Sequence, residues 1–197
     1  KTKGDNKMGL WGATDADEAK PKHLSTAEKK NVFATTAGWV RKASDNGCGN
    51  PLADPEVLVA IGGLSTSIGA ADITHIEFVT TSYSEAAPGA FSTKVRFNER
   101  VTVTGTPRVQ CSNNQAGGGT TLLFKGNYAS GSGTHELTFT STLGAGELAE
   151  NDVISIGANA MELNSGTVKD TADGTTNATI TSSAGIGSAA GTITVAA

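Results

Sequence analysis

Two cysteines in 197 residues cannot build a disulfide framework, and they do not read as a pair. Cys48 lies in the turn-like stretch Asp45-Asn46-Gly47-Cys48-Gly49-Asn50. Cys111 falls in the alternating run Arg108-Val109-Gln110-Cys111, shares a face with Val109, and reads as a small buried hydrophobe. Both thiols are expected to be reduced. Aromatics make up 5% and charged residues 17%, so the Glu-, Lys-, Leu- and Arg-rich composition of long helices and coiled coils is missing. There is no run of about 18 apolar residues, so no membrane-spanning helix is expected. Lys1-Thr2-Lys3-Gly4-Asp5-Asn6-Lys7 has no apolar core, and no signal peptide is expected. A wholly disordered chain is excluded too, because 37% hydrophobic residues and a net charge of only −4 leave enough apolar surface to collapse.

Glycine is abundant instead, with 25 positions, and it punctuates short runs of period two. Glu56-Val57-Leu58-Val59-Ala60-Ile61 is nearly continuous and closes at Gly62-Gly63. Ile76 and Phe78 alternate with Glu77 and Val79, Val95 and Phe97 with Lys94 and Arg96, and Val101 and Val103 with Thr102 and Thr104. The pairs Leu122 and Phe124, Leu137 and Phe139, and Ile154 and Ile156 repeat the pattern. Pro88-Gly89, Gly105-Thr106-Pro107, the glycines at 117–119 and at 131–133, and Asp173-Gly174 supply turns between the runs. Short strands so punctuated predict an all-β sandwich. Ser182 to Gly191 reads as a small-residue linker, and Thr192-Ile193-Thr194-Val195 as a terminal edge strand or a tail that pairs with a neighbour.

Charge and tryptophan are both unevenly placed. Residues 1–43 carry nine Lys or Arg against five Asp or Glu, a balance of +4. The remainder carries six against fourteen, a balance of −8. This predicts a mildly basic leader with a preference for acidic surface, a sister copy of its own body included. Both tryptophans, Trp11 and Trp39, lie in the leader. An indole has no use in a solvated tail, whereas interfaces are commonly anchored by one, so Trp11 is expected in a contact with another chain. For Trp39 the alternative is that the leader folds back and the indole caps its own sandwich. The leader's only helix signal is Ser25-Thr26-Ala27-Glu28, a capping box that predicts two turns at most near residues 25–31.

Chemistry is hard to find. His23, His75 and His135 are far apart and lack metal-ligand spacing, the latter two reading as strand-face residues. No nucleophile elbow, zinc-protease or P-loop motif occurs, and the glycine clusters lack the lysine and helix of a phosphate cradle. Asp15-Ala16-Asp17-Glu18 and Asp170-Thr171-Ala172-Asp173-Gly174 have the carboxylates to seed a calcium site but not to complete one. The second reads as a turn with Gly174 at positive φ. No catalytic, cofactor or metal residue is assigned. Nucleic acid is not expected as a partner, because acids interrupt the leader's lysines and the acidic body opposes a polyanion.

Two stretches resemble known families. Lys94-Val95-Arg96-Phe97-Asn98-Glu99-Arg100-Val101-Thr102-Val103-Thr104-Gly105-Thr106-Pro107, Tyr128-Ala129-Ser130-Gly131-Ser132-Gly133-Thr134, Leu137-Thr138-Phe139 and Leu163 to Ala172 resemble the immunoglobulin-like or cadherin-like modules of bacterial adhesins. Gly9-Leu10-Trp11-Gly12-Ala13-Thr14-Asp15, Ala19 to Leu24 and Asn31 to Val40 resemble the start of small virion structural proteins of tailed phages, cyanophages especially. The two resemblances imply an extended basic arm over 1–43, a linker and first strand over 44–72, an immunoglobulin-like sandwich over 73–182, and a small-residue tail over 183–197. They imply a non-enzymatic capsid decoration or cement protein on the phage head, whose partners are the major capsid protein, other virion proteins and sister copies. The interface would be carried by Trp11, Lys20, Pro21, Lys22, His23, Trp39 and Arg41. The alternative is a tail, collar or knob component or an adhesin-type module that binds a receptor or a host-surface glycan, with Tyr83 and Tyr128 as its stacking candidates.

Overall fold

Ser25 opens the first helix as its sequence predicts. In the computed structural model, which describes residues 20–45, 49–50 and 52–197, the Glu28 N–H donates to Ser25 Oγ at 3.3 Å. The Ser25 N–H in turn donates to Glu28 Oε2 at 2.9 Å. The helix, α1 (Thr26–Lys29), is a single turn, because the β-branched residues that follow belong to a strand. Among the described residues the chain has thirteen strands and divides into two compact units, with the boundary after Gly69.

In the N-terminal unit β1 (Val32–Thr35) and β2 (Gly38–Arg41) form a tight antiparallel hairpin, with Thr35 paired to Gly38 and Val32 to Arg41. Thr35 stabilises the turn by donating Oγ1–H to the Gly38 carbonyl at 3.1 Å and accepting the Ala37 N–H at 3.2 Å. Gly38 has φ +129°, and a Cβ there would stand 2.0 Å from the Val59 carbonyl oxygen, so only glycine fits. The neighbour that crowds it belongs to β3 (Glu56–Ala60), which pairs with β2 and gives the order β3-β2-β1. Val32, Ala34, Trp39 and Leu64 are the buried core, flanked by Leu24, Leu58, Val59, Ile61 and Ile68.

This corrects the expected arm over 20–43; its residues 1–19 lie outside the described residues. Residues 20–43 are not an extended strap, because Val32, Ala34 and Trp39 find their apolar partners in β3 and in the turn at Leu64, within the same unit. The first strand expected within 44–72 is present as β3, and it belongs to this unit.

The C-terminal unit holds β4 (Ile73–Phe78), β5 (Tyr83–Ser84), β6 (Ala90–Thr104), β7 (Arg108–Asn113), β8 (Leu123–Ser130), β9 (Thr134–Thr142), β10 (Val153–Ser155), β11 (Met161–Glu162), β12 (Thr167–Asp170), helix α2 (Ala184–Ser188) and β13 (Ile193–Ala196). Its spine is β6, 15 residues long and so about 50 Å. On one side β6 pairs with β9; on the other its first half pairs with β4 and its second half with β12. From β9 the path runs through β8, β7, β10 and β13 to β5, with β11 paired to β7. All of these pairings are antiparallel except β13 to β5, which is parallel, so the sheet is mixed.

Alternation decides which side chains meet. Val109 and Cys111 from β7, Phe124 from β8, His135, Leu137 and Phe139 from β9, and Phe91, Val95, Phe97 and Val101 from β6 are all buried. Apart from His135 they belong to one continuous apolar core. Phe91 packs edge-to-face on Phe124 and on Phe78, at centroid separations of 5.2 and 5.6 Å.

The all-β class expected from the sequence therefore stands. The tail differs from its expected form. Ser183 caps α2 by accepting the Ile186 N–H, in a stretch read as a linker. Strand β13 lies between β10 and β5, inside the sheet and not at an open edge.

Candidate partner interface

The seven expected interface residues separate once their surroundings are known. Trp11 lies outside the described residues. Trp39 is fully buried on β2. Burying an indole of about 200 Å² is worth roughly 5 kcal/mol at about 25 cal/mol per Å², so it is a core anchor and not a surface contact. Its Nε1–H is buried with no acceptor among the described residues, a cost that the packing offsets. Lys20 is also sealed from solvent, its ammonium donating to the Lys29 carbonyl at the end of α1 at 2.8 Å. Pro21 is buried beside it and accepts the Leu24 N–H.

Arg41 is committed within its own unit. Its Nη2 lies 2.7 Å from Glu56 Oε2 on β3, and its Nη1 3.8 Å from Glu28 Oε1 on α1. The hydrogen bonds from Ser25, with a smaller pull from Arg41, hold the Glu28 carboxyl below its usual range. Of the six described residues of the set, only Lys22 and His23 are exposed, in the turn before α1.

The charge split shifts with the structure as well. The N-terminal unit gains Asp45, Asp54 and Glu56, which brings residues 1–69 to nine bases against eight acids, a balance of +1. Residues 70–197 hold six against eleven, a balance of −5. The basic leader was an effect of cutting the chain before its own counter-charges.

Apolar exposure marks a different surface of the N-terminal unit. Leu52 is 92% exposed, and Val57 is 51% exposed on β3, the outermost strand of its sheet. Among the described residues β3 is paired only to β2. A strand edge of that kind is a template for a strand from another chain. On the C-terminal unit Leu122 and Leu123, at the entry to β8, are 56% and 48% exposed.

The two stacking candidates for a sugar are engaged inside their own unit. Tyr83 is 7% exposed, with its ring against Phe91 and its hydroxyl accepting the Gly89 N–H. The Tyr128 ring packs edge-to-face on Phe139, and its hydroxyl accepts the Ser132 N–H at 2.9 Å. Around Tyr83 runs a shallow hollow lined by Thr80, Ser82, Ser84 and Ala196.

The polar groups that sequence reading missed are buried carboxylates. Asp152 accepts Asn113 Nδ2–H at 2.7 Å, the Gly117 N–H at 2.8 Å and the Ala149 N–H at 3.0 Å. Burial pushes its carboxyl up, but these donors and the Gly119 N–H outweigh it and hold the group below its ordinary value. A Cβ on Gly117 would stand 1.7 Å from the Glu150 carbonyl oxygen, so the loop reaches Asp152 only as glycine. The glycines at 117–119 therefore feed a carboxylate hub and are more than a hairpin tip. Asp170 and Asp173 form the expected turn, with Gly174 at φ +68°. Among the described residues no group of three His, Cys, Asp or Glu is placed to hold a metal ion. None of their helices is long and apolar enough to cross a membrane.

No protein-family model, curated protein or solved structure matches this chain.

Proposed function

We propose that the chain is a non-enzymatic virion structural protein, a capsid decoration or cement protein whose N-terminal unit docks on the particle and whose β-rich unit, immunoglobulin-like by its sequence resemblance, is displayed. The observation that carries the docking half is the outer strand β3, with Val57 half-exposed on it and Leu52 almost fully exposed just before it. On this reading the contact surface is an apolar strand edge and not the buried Trp39 or the paired Arg41, with Lys22 and His23 as the exposed remnant of the expected set. Addition of a strand from a capsid subunit or a sister copy would satisfy the open backbone groups and cover Val57.

The alternative, a recognition module for a host glycan, has less support, because Tyr83 and Tyr128 have their rings packed against Phe91 and Phe139. Incorporation into particles tests the proposal. Val57→Lys combined with Leu52→Asp should cut the copy number per purified particle, read by quantitative mass spectrometry, while leaving the fold intact by circular dichroism. Undiminished incorporation sinks the β3 surface. A wild-type copy number far below that of the major capsid protein favours a tail or collar part.

A further inference from the structure

A carboxylic acid stands in the apolar row of the longest strand. Alternation along β6 turns Phe91, Thr93, Val95, Phe97, Glu99 and Val101 inward, and all six are buried. Glu99 is 1% exposed, and both of its carboxyl oxygens are sealed with no hydrogen-bond donor among the described residues. On β12 the inward residues are Val168 and Asp170, each 2% exposed. The register pairs Val101 with Asp170, which puts Asp170 one diagonal step from Glu99 on the same face. A side chain as long as glutamate spans that step.

The charged groups whose fields act most strongly on Glu99 are acids. Asp170 comes from β12, Asp173 from the turn that follows it, and Asp72 from the segment before β4. Asp72 is fixed there by Asn98, whose Oδ1 accepts its N–H at 2.7 Å and whose own N–H donates to the Asp72 carbonyl at 3.0 Å. From β9, His135 is buried opposite the irregular 97–100 segment of β6, with its Nε2 3.9 Å from Glu136 Oε1. Of the cations of β6 nearest Glu99 in sequence, Arg96 is bonded to Glu77 and Glu136, and Arg100 is an exposed residue.

Two carboxylates one diagonal step apart on a buried face cannot both stay ionised, and one proton shared between them removes the conflict. We propose that Glu99 is the protonated partner, donating its O–H to the Asp170 carboxylate, and that this single-proton bond is a clasp that fastens β12 and its turn to the inner face of β6 and opens when alkali removes the proton. Asp170 is prepared to accept, because one of its oxygens already takes the Ala172 N–H at 2.7 Å and its own N–H is tied to the Thr176 carbonyl.

The direction with pH follows from linkage. Burial, with Asp170, Asp72 and Asp173 adding to it, pushes the Glu99 carboxyl from 4.5 up to about 9. Burial also raises Asp170, against the pull of its bond from Ala172. The folded chain keeps a proton that the unfolded chain releases near 4.5. The clasp is therefore fully present below that value, weakens as pH rises, and is gone above about 9.

The experiment uses the full chain. Side-chain carbon NMR of the wild type should show Glu99 titrating far above the other glutamates. Hydrogen exchange of residues 167–179 should speed at least tenfold between pH 6 and pH 9.5, beyond the intrinsic pH dependence of exchange. The melting temperature should fall by roughly 5 °C or more over that range. Glu99→Gln, which keeps a donor but cannot ionise, should abolish both the excess exchange and the fall. If that variant does not fold, Asp170→Asn offers the second reading: it should lower the Glu99 titration by at least one pH unit.

Titration of Glu99 among ordinary glutamates overturns the proposal. So does a Glu99→Gln chain that loses stability with pH in parallel with the wild type. Calcium added at pH 9 that restores the wild-type melting temperature, but not that of Glu99→Gln, would show a cation cradle in place of a shared proton and would overturn it as well.

Discussion

Asn113 Nδ2–H donates to Asp152 Oδ2 at 2.7 Å between two side chains that are both sealed from solvent. The bond ties the last residue of β7 to the residue before β10, and the same carboxylate gathers the backbone N–H groups of Gly117, Gly119 and Ala149. One buried charge thus organises both loops at this end of the C-terminal unit. Each donor replaces a bond to water that the carboxylate lost on burial.

Asp152→Ala should cost about 3 kcal/mol or more, because it leaves several buried donors without an acceptor. Asp152→Asn, which still offers one oxygen, should cost about half of that. The carboxyl is held below its ordinary value, so its contribution is present above pH 3.8 and is lost as pH falls through the lower folded value. Urea melts between pH 2.5 and pH 7 should show the acid limb shrink in Asp152→Asn. An unchanged acid limb would show that Asp152 does not set the acid dependence of stability.

What the sequence disclosed was local. The Ser25 and Glu28 capping box needs only three residues of separation, and Cys111 beside Val109 needs only the two-residue period of a strand. What it hid was long-range. Asp152 meets Asn113 from 39 residues away, and nothing in the string Glu150-Asn151-Asp152 marks a core position. Trp39 reads from the sequence as an interface anchor because it lies in the leader, outside the run of alternating strands, and the short strand Gly38–Arg41 carries no signal of a core of its own. Its burial depends on Val59 from β3 and on Leu64, which a linear reading assigns to a linker. Glu99 was legible only as part of a familiar pattern, and its isolation from donors appears once β6 and β12 are in register.

Cys111 should be chemically silent in the folded chain. It is 1% exposed, and burial pushes its thiol up to about 12, so almost no thiolate forms at neutral pH. In a Cys48→Ser background, a disulfide reagent at pH 8 should label Cys111 only as fast as the C-terminal unit opens, at least a hundredfold more slowly than the urea-unfolded chain. Rapid labelling under native conditions would contradict the β7 register that points Cys111 inward.

Arg96 should matter for its shape as well as its charge. Its guanidinium on β6 donates to Glu77 on β4 at 2.8 and 3.0 Å and to Glu136 on β9, so one planar fork links three strands. Arg96→Lys keeps the charge but offers a single point of contact and should lose about 1–2 kcal/mol. Arg96→Met should lose more, about 2–4 kcal/mol, because Glu136 is then left largely buried without its closest cation. Chemical denaturation of both variants at neutral pH ranks them, and equal losses would show that charge alone is at work.

Trp39 and Val57 should separate folding from docking. Trp39 fills the N-terminal core, and Trp39→Ala should cost about 3–5 kcal/mol. The loss should appear as faster hydrogen exchange across residues 20–69, with the C-terminal unit unchanged. Trp39→Phe keeps most of the apolar fill and also removes the buried Nε1–H that lacks an acceptor among the described residues, so it should cost less than half as much. Val57 is half-exposed, and Val57→Lys should change stability by less than about 0.5 kcal/mol. If β3 is the docking edge, Val57→Lys lowers particle incorporation without moving the melting temperature, whereas Trp39→Ala lowers both. A chain in which Trp39→Ala leaves residues 20–69 as protected as before would show that the N-terminal unit does not depend on this indole, and the structural basis for moving the contact surface from Trp39 to β3 would be lost.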